Sequence, residues 1–217
     1  MVSAAEDGGR GVLIALEGVD GSGKTTQAMN LAAVLARLGR RVVLTREPTY
    51  GPAGRRLRAY LAGRRRHLNA LEELALFQAD RREHVQKTIR PALERGWVVV
   101  TDRYYYSSAA YQGALGLDPE AILAESEAFA PRPDLVVIFT LPVSLALARR
   151  RQGGGGDIQV SEEPAYLEKV AALYDTFLGP HLRRVDASPP EAQVLGRLFN
   201  LALDTLTAVG KASAGER

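Results

Sequence analysis

The chain of 217 residues predicts an α/β fold, a five-stranded parallel sheet flanked by helices on both faces, and three features carry that prediction. Apolar runs at 12–17, 41–45, 97–101, 135–141 and, more weakly, 182–186 are continuous rather than alternating, as in strands covered on both faces. Segments of helical period stand between successive runs. The first run passes directly into the glycine-rich stretch Gly18-Val19-Asp20-Gly21-Ser22-Gly23-Lys24-Thr25, in the place of a turn between strand and helix.

That turn follows the pattern G-x-x-x-x-G-K-[ST], and each residue type has a physical reason. Glycines let successive backbone N–H groups turn inward around a phosphate without Cβ clashes. Lys24 places a point charge on the β/γ-phosphates, and the Thr25 hydroxyl can ligate Mg²⁺. A helix over 26–38 follows, with Ala28, Leu31, Ala32 and Leu35 on one face and its N-terminal dipole toward the anion. A plain connecting turn is the competing reading, and the full motif between strand and helix weighs against it. The run from Gly18 to Thr26 is therefore expected to bind a nucleoside triphosphate.

The remaining elements follow in order. The strand 41–45 leads through Thr45-Arg46-Glu47-Pro48-Thr49-Tyr50 into a helix over 52–62, and a long helix is expected over 71–95. The strand 97–101 delivers Asp102, where a carboxylate can hold Mg²⁺ through water, and Arg103, which can clamp an acceptor phosphate together with the transferring phosphoryl group. Helices over 107–113 and 119–128 precede the strand 135–141, helices over 145–151 and 164–178 precede the strand 182–186, and a helix over 191–209 closes the chain. The ends 1–10 and 208–217, rich in Gly, Ala, Ser and charge, read as disordered tails around one domain spanning 11–207.

Composition removes several function classes. The absence of cysteine excludes disulfides, thiolate metal sites and cysteine catalysis. A net charge of +3 is weak grounds for a polyanion partner, and no basic-aromatic stripe points to nucleic acid. Residues 1–10 contain Glu6 and Asp7 and no apolar core of a signal peptide, and no apolar run approaches the roughly 20 residues of a membrane helix, so a cytoplasmic protein is expected.

One segment departs from the α/β alternation. Arg149-Arg150-Arg151 runs into four consecutive glycines at 153–156, which cannot hold a helix or strand cheaply. A lid at about 149–163 that closes charge onto the nucleotide is one reading, and a solvated loop with incidental arginines is the other.

The phosphate-binding motif alone covers several enzyme classes, and no N-K-x-D guanine reader is present. The combination of L-E-G-V-D-G-S-G-K-T-T-Q (16–27), T-R-E-P-T (45–49), L-F-Q-A-D-R-R-E-H-V (76–85) and D-R-Y-Y-Y-S-S-A-A-Y-Q-G (102–113) closely resembles the thymidylate kinases. P-D-L-V-V-I-F (133–139), Y-L-E-K-V (166–170) and V-D-A-S (185–188) extend the resemblance over about 12–205. It implies the phosphate-loop NTPase fold, the reaction of Mg-ATP with dTMP to give ADP and dTDP, and a homodimer. By the same resemblance Phe77 stacks on thymine and Arg81, one helical turn later, bonds its O4; that spacing puts both on one helix face. Asp20 matches a contact to the acceptor 3′-hydroxyl, and Tyr111 the ring under the deoxyribose. Ser107, Ser108 and Gln112 match base-pocket positions, although Ser107 also reads as a helix N-cap. Pro48 and Tyr50 match a bend and a phosphate contact, and Tyr104 to Tyr106 read as packing.

The resemblance also bears on the lid. Gly21 stands where some relatives carry an arginine, and those lacking it resemble enzymes that supply the arginine from the lid. Arg149 is then expected against adenine, and Arg150 or Arg151 on the γ-phosphoryl group. No general base is needed, because the acceptor phosphate is already an anionic nucleophile. A kinase for another deoxynucleotide such as dUMP and a nucleotide-binding protein without turnover are the competing readings. Intact Lys24, Thr25, Asp102 and Arg103 speak against the second.

Overall fold

The computed structural model describes residues 10–63, 67–152 and 163–215. Five strands, β1 (Val12–Gly18), β2 (Val42–Arg46), β3 (Val98–Asp102), β4 (Leu135–Thr140) and β5 (Leu182–Asp186), form one sheet in the order β2-β3-β1-β4-β5. Every neighbouring pair is parallel. The helices are α1 (Lys24–Arg37), α2 (Pro52–Ala62), α3 (Ala70–His84), α4 (Arg90–Glu94), α5 (Tyr105–Gly113), α6 (Pro119–Glu127), α7 (Val143–Gln152), α8 (Pro164–Thr176) and α9 (Glu191–Gly215).

The continuous apolar runs are explained by where alternate residues go. In β1, Leu13 and Ala15 enter one core with α3, α5 and α8, while Val12, Ile14 and Leu16 enter a second core with α1 and α9. Both faces are covered, so a strand of period two needs apolar residues at every position. Tyr104, Tyr105 and Tyr106 are buried in the first core, as packing residues.

The register aligns Leu16 of β1 with Asp102 of β3, and Arg46 of β2 with the same Asp102. β1 lies between β3 and β4: the connection after β1 runs to the β2–β3 half of the sheet, and the one after β3 to the β4–β5 half. Such a switch point opens a crevice at the carboxyl edge, and the phosphate-binding turn lies there.

Three local departures have physical reasons. The helix α1 begins at Lys24 rather than 26, directly after Gly23, whose φ of 87° only glycine adopts readily. The helix expected over 71–95 instead comprises α3, a π-helical turn Val85–Ile89, and α4. Pro91 has no N–H for an i→i−4 bond, and Arg90 N–H reaches Val85 O, five residues back. The C-terminal stretch expected to be disordered is a correction: α9 continues through 208 to Gly215, past its buried stripe of Val194, Leu198, Ala202 and Leu206. Among the described residues no helix is long and apolar enough to cross a membrane.

Candidate active site

A cleft of about 770 Å³ opens at the carboxyl edge of the sheet and reaches from Pro189 and Pro190 past the phosphate-binding turn to Phe77. Its size and mixed lining suit one or two nucleotide-sized ligands.

The turn after β1 holds its shape through positive φ at Gly18, Gly21 and Gly23. Gly21 is constrained twice: φ is +83°, and a Cβ there would stand 2.1 Å from the carbonyl oxygen of Ala146 in α7. Any side chain at this position would push the arginine-bearing helix away. Lys24, buried, donates from Nζ to Val19 O at 2.8 Å and Ser22 Oγ at 3.3 Å. Burial and then the nearby charge of Arg103 bring its ammonium down to about 8. A phosphate anion supplies the charge that this cluster of cations calls for.

Thr25 Oγ1 donates to Asp102 Oδ2 at 2.5 Å, and Arg46 Nη2 stands 3.9 Å from that oxygen. A hydroxyl and a carboxylate side by side are hard oxygen donors, as Mg²⁺ prefers, and Mg²⁺ takes its other ligands from water and phosphate. The pair fits the ion although no cluster of three or more His, Asp or Glu is found among the described residues.

Arg103 is a non-glycine residue in the left-handed region, with φ 74°. Such a conformation persists only where its surroundings over-determine it. The guanidinium donates to Asp20 Oδ1 at 2.6 Å, Ser107 Oγ at 2.8 Å, and Gly18 O and Tyr111 OH at 3.3 Å each. Burial raises the carboxyl of Asp20, but Arg103 and Lys24 outweigh it and hold the group below the usual range. Behind Arg103, Glu17 is fully buried at the end of β1 and accepts from Tyr104 N, Ser107 N, Ser107 Oγ and Tyr174 OH. Burial raises its carboxyl despite these bonds. Glu17 thereby ties the start of α5 to β1 and frames the turn that carries Arg103.

Beside the cleft, α3 and α5 face each other in two rungs, one helical turn apart on α5 and about two turns apart on α3. Gln112 Nε2 donates to Glu73 Oε1 at 3.1 Å, and Arg81 Nη2 donates to Ser108 Oγ at 3.0 Å. Phe77 lies between Glu73 and Arg81 on α3 and lines the cleft. Arg81 is 1% exposed and also donates from Nε to Glu47 Oε2 at 2.9 Å and from Nη2 to Tyr104 O at 3.3 Å. Glu47 Oε1 meets His84 Nδ1 at 3.0 Å, and His84 Nε2 meets Thr45 Oγ1 at 2.7 Å. Burial opposes the charge of Glu47, yet Arg81 and His84 pull its carboxyl below the usual range. After all these bonds Arg81 Nη1, a donor, and Gln112 Oε1, an acceptor, are buried without partners.

The cleft brings together Asp20, Gly21, Ser22, Gly23, Lys24, Thr25, Thr26, Pro48, Phe77, Asp102, Arg103, Ser107, Tyr111, Gln112, Arg149 and Arg150 from the sequence reading. Gly18 and Val19 sit behind the turn, meeting Arg103 and Lys24 through their carbonyls. Arg149, at the end of α7, donates to Ala187 O at 2.7 Å and Ser188 O at 3.0 Å, closing the wall beside Pro189. Four expectations are displaced. Arg81 does not itself line the cleft but is buried behind Phe77 against Glu47 and Ser108. Ser108 does not line the cleft but holds Arg81 from behind. Tyr50 is 61% exposed, outside the cleft, beneath the Arg58 guanidinium at 4.1 Å. Arg151 is exposed on α7 and does not line the cleft. Of the expected lid, 153–162 lie outside the described residues.

Sequence reasoning assigned no role to Glu17, Arg46, Glu47, Arg58 or Glu73. Arg58 lines the cleft, donating from Nε to Thr49 O at 3.1 Å and from Nη2 to Pro48 O. A carboxylate inside or directly after an apolar strand, as at Glu17 and Glu47, is the one signal that could have pointed to them.

Comparison with known proteins follows the same outline. Residues 16–197 match the family model described as thymidylate kinase. The chain is 46% identical over 185 residues to the thymidylate kinase of Xanthomonas campestris pv. campestris, covering 85% of this chain and 80% of that protein. It is 44% identical over 177 residues to the thymidylate kinase of Desulfotalea psychrophila, covering 82% and 87%. With that of Brachyspira hyodysenteriae it shares 40% over 191 residues, covering 88% and 93%. With the match spanning the phosphate-binding turn, the Asp102–Arg103 corner and the facing rungs of α3 and α5, the chain belongs to the thymidylate kinase family.

Proposed function

We infer that the protein transfers the γ-phosphoryl group of ATP to dTMP, giving ADP and dTDP. The observation that carries the acceptor assignment is a pair of unpartnered buried atoms, Nη1 of Arg81, one helical turn after Phe77 on α3, and Oε1 of Gln112, which lines the cleft with Phe77. A thymine ring stacked on Phe77 offers an O4 acceptor and an N3–H donor, the complement of Arg81 Nη1 and Gln112 Oε1. Groups left unpaired in the protein are costly unless a ligand meets them, so the pocket selects the edge that does.

The acceptor phosphate then falls toward Arg103, between Asp20 and Ser107, with Arg58 on the flank of the cleft. One of its oxygens attacks the γ-phosphorus, the bond from phosphorus to the β–γ bridging oxygen breaks, and that oxygen leaves with ADP. Lys24 and the N–H groups of the turn hold the β- and γ-phosphates, while Arg103 draws the two phosphates together against their repulsion. Thr25 and Asp102 would hold Mg²⁺, which neutralises charge on the β- and γ-oxygens when bound. Arg149 braces the adenine wall, and Arg150, reaching the cleft above Asp20, is the better placed of its neighbours to meet the γ-phosphoryl group. Tyr111 packs its ring 5.0 Å below the Arg103 guanidinium, where a deoxyribose would lie against it. The resemblance supports one kinase domain over 11–207 with a lid at about 149–163, working as a cytoplasmic homodimer.

A coupled ADP-release assay with Mg-ATP and dTMP, dUMP, dCMP, dGMP, AMP or no acceptor tests the assignment. Turnover led by dTMP and abolished by chelating Mg²⁺ is expected. Acceptor-independent hydrolysis, or equal turnover of every acceptor, would overturn it.

A further inference from the structure

Glu73 is a buried carboxylate, 3% exposed, with no part in the phosphoryl transfer. Its Oε2 accepts from Tyr60 OH at 3.0 Å and its Oε1 from Gln112 Nε2 at 3.1 Å. An ionised carboxylate only accepts hydrogen bonds, whereas a glutamine amide can present either its oxygen or its NH₂. Facing Glu73, the Gln112 amide has one satisfiable orientation: NH₂ toward the carboxylate, carbonyl oxygen left over. The leftover Oε1 is the buried acceptor without a partner, on a residue that lines the cleft together with Phe77.

We propose that Glu73 is the specificity-determining residue that sets the polarity of the base pocket, by locking Gln112 with its acceptor toward the base. This rests on the reading of the cleft as a dTMP site and deepens it. Thymine and uracil carry a donor at N3, which Oε1 receives. Cytosine carries an acceptor at N3, which would meet Oε1 lone pair to lone pair. Glu73 touches neither base nor phosphate; it is a positioning residue, acting through Gln112. Tyr60, donating to the far oxygen, keeps the carboxylate turned toward Gln112.

The substitution Glu73→Gln is isosteric and tests the proposal. The introduced amide can accept from Tyr60 and donate to Gln112 Oε1, which frees Gln112 to turn its NH₂ toward the base. The ratio of kcat/KM for dTMP over dCMP is expected to fall by about tenfold or more, chiefly through KM, with dTMP weakened and dCMP improved. A merely structural role would lower both acceptors together and leave the ratio unchanged. The exchanged pair Glu73→Gln/Gln112→Glu restores an acceptor facing the base, so its ratio is expected to return to within about fivefold of the parent, on the same hydrogen-bond grounds. It also carries the test if the single variant does not fold. A ratio within about twofold of the parent in Glu73→Gln, or a ratio in the exchanged pair no better than in Gln112→Met, would overturn the proposal. Failure of the parent to phosphorylate dTMP at all would instead remove the reading on which it rests.

Discussion

The substitution Glu47→Gln isolates the charge that aims Arg81. The two residues are 3% and 1% exposed, and Arg81 reaches one carboxylate oxygen with Nε at 2.9 Å and Nη2 at 2.8 Å. The variant keeps the volume and one neutral acceptor, so no cavity forms. Two hydrogen bonds lose the charge on their acceptor, a loss of about 1 kcal/mol each, and the guanidinium is left buried without its counter-charge. Removing one partner of a buried pair typically costs about 3–5 kcal/mol. With Ser108 Oγ and Tyr104 O still accepting from Arg81, the expected loss is about 3 kcal/mol near neutral pH. The pH dependence has a definite sign. The carboxyl of Glu47 is held below its ordinary 4.5 in the folded protein, so its contribution is complete above that value. It is lost as pH falls through the folded-state pKa. Urea denaturation of parent and variant should therefore show equal slopes, a gap of about 3 kcal/mol near pH 7, and a gap that narrows below about pH 4.5. A gap under about 1 kcal/mol, or one that does not narrow with acid, would refute the buried-pair account. Because Arg81 also loses its aim, KM for dTMP should rise about tenfold while KM for ATP holds.

Three further outcomes follow from the same geometry. Lys24 is pulled from 10.5 to about 8 by burial and Arg103, so below that pH its charge works against the nucleotide-free fold. Lys24→Met should raise the nucleotide-free Tm by roughly 3–6 °C while turnover falls by orders of magnitude, seen by paired calorimetry and kinetics. Arg103→Ala should lose about 10³-fold in kcat with ATP affinity nearly kept, and Arg103→Gly should be more stable than Arg103→Ala by about 1 kcal/mol, because φ is 74°. Gly21→Ala places a methyl 2.1 Å from Ala146 O at φ +83°; it should cost about 2–3 kcal/mol in denaturation and raise KM for ATP.

All five strands of the sheet and the place of its crevice are legible in the sequence, because apolar runs covered on both faces leave a strong signal and the phosphate-binding motif marks the end of β1. Lys24, Thr25 and Asp102 are legible for the same reason: their spacing is imposed by the ligand, not by a distant partner. The carboxylates behind the site are not. Glu47 meets Arg81 across 34 residues and Glu17 meets Tyr174 across 157, and no local pattern announces such pairings. The resemblance expects Tyr50 at a phosphate, but Arg58, nearly two turns into α2, lines the cleft and the Tyr50 ring lies outside. The π-helical turn before Pro91 follows from a missing N–H, although the position where the ladder slips depends on packing against the core.

The central claim is direct transfer between two nucleotides held in one cleft. It is tested by incubating the protein with Mg²⁺, γ-labelled ATP and dTMP and following the label through a single turnover. The account predicts that label passes into dTDP in step with ADP formation, with no free phosphate. Label released as inorganic phosphate, or retained on the protein before dTDP appears, would contradict it.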